Sequence, residues 1–307
     1  MSQFLKWVGG KTQIIDQVTS NFPKNMKVYR EPFLGGGSVL FSVLKSDGYK
    51  IGKIEASDIN NDLVNCYQVI KTDVESLITS LHDCLEKWRN IEREKVVLPE
   101  GVNRINVKKH AKYENEEEAL RCSREGYYYY LRAKFNKRES SGVEMAMMFI
   151  MMNKLCFRGV CRYSGGGDFN VPYGNPNVDV GVYSADNLRS CSVLFQRVNF
   201  RCCDFEETLK EAKKGDFIYL DPPYMDNDTE EGINFVGYVA NGFTKHGELF
   251  EKLKNTKKGV SWIMSNAHNE KLRTVFPECE IQTVEVRRAI NSKNPGSQSL
   301  EMLVLKI

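Results

Sequence analysis

Two hydrophobic periods alternate along this chain, and the switches between them mark its elements. Thr12–Val18 can start a helix, and Lys27–Glu31 reads as a short strand entering the glycines Gly35, Gly36 and Gly37. Ser38 is placed to cap a helix carrying Val39, Leu40, Phe41 and Leu44. A second strand, Lys53–Ser57, ends at Asp58 and completes one βαβ unit. From Asp62 to Cys84 the apolar positions Leu63, Tyr67, Ile70, Leu77 and Leu81 fall at helical spacing. Residues 89–125 are charged and irregular, which predicts a surface insertion. Tyr127–Lys137 and Val143–Cys156 read as two helices. Met145, Met147, Met148, Met151 and Met152 form the core of the second, and the tetrad Tyr127–Tyr130 is divided between core and surface. Val160–Tyr173, broken by Gly165–Gly167, suggests a hairpin or a pair of loops. Alternation then resumes. Strands are expected at Val198–Cys203, Asp216–Leu220, Val260–Met264, Ile281–Val286 and Leu300–Leu305, with helices at Phe205–Lys213 and Gly247–Leu253.

Composition narrows the class. With 41% hydrophobic residues, 16 Phe, 14 Tyr and 3 Trp in 307 residues, the chain can bury a sizeable core, which excludes a disordered chain. The longest apolar run, Val143–Leu155, is interrupted by Glu144, Asn153 and Lys154, so no membrane span is predicted. Met1–Trp7 lacks the charged start and apolar stretch of a signal peptide. Nine cysteines with no Cys-x-x-Cys pair fit reduced thiols in a cytosolic or nuclear-type compartment, and four scattered histidines (His82, His110, His246, His268) argue against a metal site. The net charge of +3 conceals an asymmetry: Lys87–Gly166 carries 17 Lys and Arg against ten Glu and no Asp. A basic middle on a slightly acidic frame fits a polyanionic partner; a solvated helical face fits it too.

Two motifs carry chemistry. Asp221-Pro222-Pro223-Tyr224 directly follows the apolar run Phe217–Leu220. The prolines stop strand pairing and lock φ, Asp221 adds an acceptor, and Tyr224 adds a flat face. Such a group can hold a planar amine. Two acceptors on its hydrogens favour a pyramidal nitrogen whose lone pair aims at an electrophile. A plain strand-ending turn is the competing reading. The second motif, Glu31-Pro32-Phe33-Leu34-Gly35-Gly36-Gly37-Ser38, is a glycine loop at a strand-to-helix turn. A dinucleotide fingerprint starting at Gly35 would need Gly or Ala where Leu40 stands, and no Gly-Lys-Ser/Thr follows for a P-loop. The loop therefore suits a nucleoside without a pyrophosphate. Asp58, at the end of the next strand, is placed to accept ribose hydroxyls.

Together these residues resemble the Dam-type adenine-N6 DNA methyltransferases. The likeness runs in order through Phe4–Lys11, Glu31–Ser38, Asp58-Ile59-Asn60, Phe157–Tyr173, Asp221–Tyr224 and Val286-Arg287-Arg288, skipping the stretch near 89–125. It implies an α/β, Rossmann-like sheet with S-adenosylmethionine as methyl donor and a helical, basic target-recognition insertion. The core would comprise 1–62 and 185–307, and the insertion 63–184. The resemblance assigns Trp7, Lys11, Phe33, Gly35, Gly37, Ser38, Asp58, Asp204 and Asp221 to the cofactor. It gives Asp221, Pro222, Pro223 and Tyr224 to the flipped adenine, and Lys6, Phe157, Arg158, Arg162 and Pro172 to duplex DNA, without a metal. An adenine stacked in a duplex cannot reach a buried methyl donor, so the base must leave the stack. Arg162 matches an arginine that reads guanine, which makes GATC the expected target. Phe157-Arg158 departs from the Tyr-Asn pair common at that place. Two other readings use the same residues: a methyltransferase acting on RNA adenine or a glutamine amide, and an inactive DNA-binding partner subunit.

Overall fold

The structure, a computed structural model, describes residues 2–91, 113, 115–174, 181–225, 243–287 and 298–307. Its contacts divide the chain into two compact units, Val8–Asn61 with Arg197–Ile307, and Met1–Trp7 with Asp62–Gln196.

The first unit is a seven-stranded sheet. Its strands are β1 (Asn25–Glu31), β2 (Lys50–Asp58), β3 (Val198–Cys202), β4 (Phe217–Leu220), β5 (Ser261–Ala267), β6 (Glu280–Arg287) and β7 (Gln298–Lys306), in the order β3-β2-β1-β4-β5-β7-β6. The five strands from β3 to β5 are parallel, while β7 runs antiparallel to both β5 and β6. This is the expected Rossmann-like α/β sheet. Side chains alternate across it. Ile218 and Leu220 point to the face where Trp262, Met264, Leu249, Leu253, Leu272 and Phe276 form one buried cluster. Phe217 and Tyr219 point to the other, where Phe22 meets them at ring distances of 4.6 and 5.7 Å. Covered on both sides, β4 is buried along its whole length, which is why it reads as an unbroken apolar run. Strand order reverses between β1 and β4, and in such sheets ligands bind outside the carboxyl ends of the strands at that point. Glu31 ends β1, Asp58 ends β2, and Asp221 follows β4.

The strands are also tied by a buried cation. Arg30 is 5% exposed, its Nε lies 3.2 Å from Asp216 Oδ2, and its Nη1 is paired with Glu55.

The second unit is helical. The periodicity that predicts one helix from Asp62 to Cys84 is divided at Asp73, whose φ of −149° breaks the run into Asn61–Thr72 and Val74–Arg89. Glu116–Cys122, expected to be irregular, is a helix because Asn115 Oδ1 accepts from the Glu118 N–H at 2.9 Å and caps it. Residues 92–112 of the predicted insertion lie outside the described residues. The helices Arg124–Lys137 and Gly142–Leu155 match expectation, and Met148, Met151 and Met152 are core. Three tyrosines of the tetrad, Tyr127, Tyr128 and Tyr129, are buried, more than a core-and-surface division predicts; the Tyr127 and Tyr128 hydroxyls donate to Glu116 and to the Val171 carbonyl. Residues 160–173 form a hairpin, with antiparallel bridges Tyr163↔Phe169 and Cys156↔Tyr173.

Two segments that the sequence reading places with the sheet belong to this helical unit. The N-terminal residues join it because Asn153 holds the Lys6 backbone from both sides, at 2.8 and 2.9 Å, and Phe4 packs 5.1 Å from Tyr67. The helix Ala185–Phe195 buries Leu188, Cys191 and Phe195, and its Arg189 pairs with Glu75 at 2.8 Å.

The Arg30 network sets a stability test. Arg30→Met would leave Asp216 as a buried carboxylate without its cation and Glu55 with only the exposed Lys53, so unfolding free energy should fall by about 3–5 kcal/mol. Chemical denaturation followed by circular dichroism measures this, and a change below about 1 kcal/mol would remove the network from the fold's foundations.

Candidate active site

The sheet unit gathers its conspicuous residues at the carboxyl ends of the strands. After β1 the chain turns through Gly35 and Gly37, whose φ values of +48° and +70° belong to the left-handed region that glycine tolerates. Gly37, and not Ser38, is the N-cap of the helix Ser38–Lys45. The expected cap fails because Ser38 is already the first helical residue, and its Oγ accepts the Lys11 N–H at 3.0 Å. Asp58 closes the loop from β2: its Oδ2 accepts the Gly35 N–H at 2.9 Å and its Oδ1 the Asn60 N–H at 3.0 Å. Burial pushes the Asp58 carboxyl up to about 6, against the pull of those N–H donors. The Gly37 N–H is also committed, to the Leu34 carbonyl at 2.8 Å.

An aromatic group stands beside the loop. Phe33 stacks on Phe205 at 5.4 Å and meets Phe243 edge-on at 5.8 Å. Asp204 caps the helix Phe205–Glu211 through the Glu206 N–H at 3.1 Å, and its other oxygen pairs with Lys245 at 3.0 Å.

After β4, Asp221 Oδ2 lies 2.8 Å from Lys11 Nζ, an ammonium on a residue only 3% exposed. That ammonium also donates to the Gly9 carbonyl at 2.6 Å and sits 4.8 Å from the centre of the Tyr224 ring. Asp221 Oδ1 is buried and has no hydrogen-bond partner among the described residues. Pro222 is buried, and no described group donates to its carbonyl. Burial raises the Asp221 carboxyl to about 6, with Lys11 opposing the rise. The motif is held from below: the Tyr224 hydroxyl donates to Glu301 Oε2 at 2.6 Å, and the Met225 N–H to Asn266 Oδ1 at 3.1 Å. His246 Nε2 lies 2.8 Å from the Pro223 carbonyl.

The sequence motifs include Glu31 without a role and give none to Glu301, Asn266 or His246. A carboxylate inside the apolar strand Leu300–Leu305 and the polar pair Ser265-Asn266 closing another were available signals. His246 had none, since its partner is a backbone carbonyl. Glu31 is 2% exposed, and burial pushes its carboxyl up to about 8, although it accepts the Tyr29 hydroxyl at 2.6 Å.

The residues expected at DNA lie in the helical unit, and all five are exposed. Phe157, 50% exposed, takes a backbone bond from its N–H to the Pro172 carbonyl at 2.9 Å. Arg158 stands at φ +57°, uncommon for a residue with a side chain, with its guanidinium 5.2 Å from the Phe157 ring centre. The Lys6 side chain lies against Gly159. Arg162 donates Nε–H to Asn170 Oδ1 at 2.7 Å, so the hairpin fixes the base of the guanidinium, and its outer nitrogens pair with no described residue. Trp7 is half-buried at the end of the N-terminal segment. Arg288 lies outside the described residues.

A family model described as D12 class N6 adenine-specific DNA methyltransferase matches residues 7–96 and 101–290. The chain is 34% identical to the type II methyltransferase M.MjaIII of Methanocaldococcus jannaschii over 94% of its own length and 93% of the relative's. It is 29% identical to a DNA adenine methylase of Haemophilus influenzae, over 95% and 88% of the two chains. It is also 29% identical to the retron Ec67 DNA adenine methylase of Escherichia coli, over 99% and 90%.

The buried Glu31 carboxyl makes stability depend on pH. Its folded pKa of about 8 exceeds the ordinary 4.5, so the folded state binds the extra proton. The contribution is fully present below about pH 4.5 and is lost as pH rises through about 8. Glu31→Gln should flatten that decline. Melting temperatures of both proteins between pH 5 and 9 test it, and parallel curves would show that Glu31 does not titrate in this range.

Proposed function

The chain belongs to the D12 class of N6 adenine-specific DNA methyltransferases, and from that premise we propose that it methylates a flipped adenine within GATC, using S-adenosylmethionine. It is a DNA adenine methyltransferase by family; the donor, the acceptor chemistry and the target are the proposal. The carrying observation is the buried, unpartnered Asp221 Oδ1 beside the Pro222 carbonyl, with Asp221 Oδ2 fixed by Lys11.

The glycine loop fits a donor without phosphate. Two of its N–H groups are already given to Asp58 and Leu34, and the Asp58 carboxylate would repel an anion. The residues proposed to hold the donor are Trp7, Lys11, Phe33, Gly35, Gly37, Ser38, Asp58, Asp204 and Asp221. Asp58 meets the backbone N–H groups of Gly35, Asn60 and Ile59, and a carboxylate has about four acceptor positions, so one remains for a ribose hydroxyl. When bound, S-adenosylmethionine supplies an electrophilic methyl group on a sulfonium.

Asp221 Oδ1 and the Pro222 carbonyl accept the two hydrogens of the target amine, which withdraws its lone pair from the ring and aims it outward. Lys11 keeps Asp221 ionised and oriented. The amine gives up one proton as it gains the methyl, and the Asp221 carboxylate is the nearest acceptor. Tyr224 offers its ring to the base. Lys6, Phe157, Arg158, Arg162 and Pro172 meet the duplex, with Phe157 as an apolar wedge for the space the base leaves. Arg162, gripped at Nε, presents the outer fork that matches guanine O6 and N7, a pairing that discriminates by roughly 1–3 kcal/mol.

Labelled S-adenosylmethionine and a mixed duplex, followed by mapping of modified adenines, test the proposal. Asp221→Ala should lower turnover by at least ~100-fold, as losing one preorganised polar partner does. Wild-type turnover should fall as pH drops through about 6, where the Asp221 carboxylate takes up a proton. Arg162→Ala should relax the choice at one guanine. Near-normal turnover without Asp221 would overturn the acceptor mechanism. Methylation centred on a motif lacking that guanine would overturn GATC alone.

A further inference from the structure

The acceptor pair works only if two peptide planes are held still, and prolines hold φ alone. The direction of each carbonyl depends on ψ, and the Asp221 and Pro222 carbonyls share their peptide planes with proline nitrogens, which have no N–H by which a neighbour could fix them. The segment is anchored on both sides of this gap. Leu220 pairs with Met264 and Asp221 with Lys11, while Tyr224 and Met225 are tied to Glu301 and Asn266. Between the two anchors the backbone offers only carbonyls, and one of them, on Pro223, is met by His246 Nε2 at 2.8 Å.

A carbonyl only accepts, so Nε2 carries the hydrogen. His246 is 3% exposed, its ring meets Phe243 edge-on at 4.8 Å and 89°, and Phe250 lies 5.9 Å away. Its Nδ1 has no partner among the described residues. Burial lowers the imidazole pKa from its ordinary value, which favours the neutral ring. A neutral ring with Nε2 protonated leaves Nδ1 as a bare lone pair. The aromatic neighbours hold the ring plane, and the ring then offers its single N–H in one direction.

We propose that His246 is a positioning residue for methyl transfer, whose Nε2–H fixes the Pro223 carbonyl and thereby sets the orientation of the Asp221–Pro222 acceptor pair. The inference rests on the reading of Asp221 and Pro222 as acceptors of the amine's hydrogens. If Pro223 were released, the peptide planes on either side could rotate while the anchors at Asp221 and Tyr224 stayed in place. Of the residues proposed to hold the donor only Asp221 adjoins the released planes, and Lys11 keeps its carboxylate anchored, so cofactor and DNA affinity should survive while turnover falls.

Two variants separate the hydrogen bond from the packing. His246→Phe keeps an aromatic ring between Phe243 and Phe250 but has no donor, whereas His246→Gln offers an N–H at about the reach of Nε2. Turnover is measured at saturating duplex and S-adenosylmethionine, with cofactor affinity by calorimetry, duplex affinity by fluorescence anisotropy, and melting temperature alongside. His246→Phe should lose about 100-fold in turnover, the scale of a small misplacement of reacting groups, with both affinities within about threefold. His246→Gln should recover at least about a tenth of the wild-type rate. Normal turnover in His246→Phe would overturn the proposal. So would a His246→Gln protein as slow as His246→Phe with both affinities intact, or a loss of cofactor affinity that parallels turnover in both variants. Asp221→Ala in the same assay isolates the premise: if it stays active, the acceptor reading fails; if it alone is inactive, only the role of His246 does.

Discussion

One ion pair organises the sheet's carboxyl edge. An ammonium as deeply buried as that of Lys11 is tolerable only with a partner, and Asp221 is that partner. The same lysine gives its backbone N–H to Ser38, so the glycine loop after β1 and the proline motif after β4 share a single anchor. Two acidic side chains, Glu31 and Asp221, face one another electrostatically in this region. They cannot both be charged at low cost in a dry place. Lys11 decides the outcome: Asp221, which it touches, is ionised above about 6, while Glu31, bonded only to a tyrosine hydroxyl, stays neutral to about 8. Negative charge is thus concentrated at the carboxylate beside the unpaired acceptors.

Much of the fold could be read from the sequence because the strands that matter are covered on both faces. Phe217–Leu220 has no polar position to confuse its period, and the strand is legible almost to the residue. Elements decided by one local geometry were harder. Asp73 divides a helix whose apolar spacing continues through it, and Ala185–Phe195 buries only Leu188, Cys191 and Phe195 of its side chains, a face that its neighbours define. Antiparallel insertion of β7 between β5 and β6 depends on pairing that no local period encodes.

At the site, the motifs announced the residues but not their partners. Asp221 is visible because it follows an apolar run, and Asp58 because it ends the strand after the glycine loop. That Asp58 spends part of its capacity on the glycine loop, and that Tyr224 leans on Glu301, are long-range facts. The same holds in the helical unit. There Asp62, 8% exposed, accepts from both Arg138 and Tyr163, and so braces the hairpin next to Arg162 from the start of a distant helix.

The interleaving of the two units has a consequence for how the chain is made. The side chain that secures the Lys6 backbone, Asn153, is made 147 residues later. β1 and β2 can pair as soon as they emerge, but β4, which completes the centre of the sheet, follows the whole inserted unit. The nascent protein therefore carries an open strand edge on β1 until the inserted unit has been made. Contacts so distant in sequence slow folding, because loop closure must precede the gain from pairing. In sequence the helical unit separates the strands that must pair, so β1 and β4 meet only after all the residues between Glu31 and Phe217 have been made.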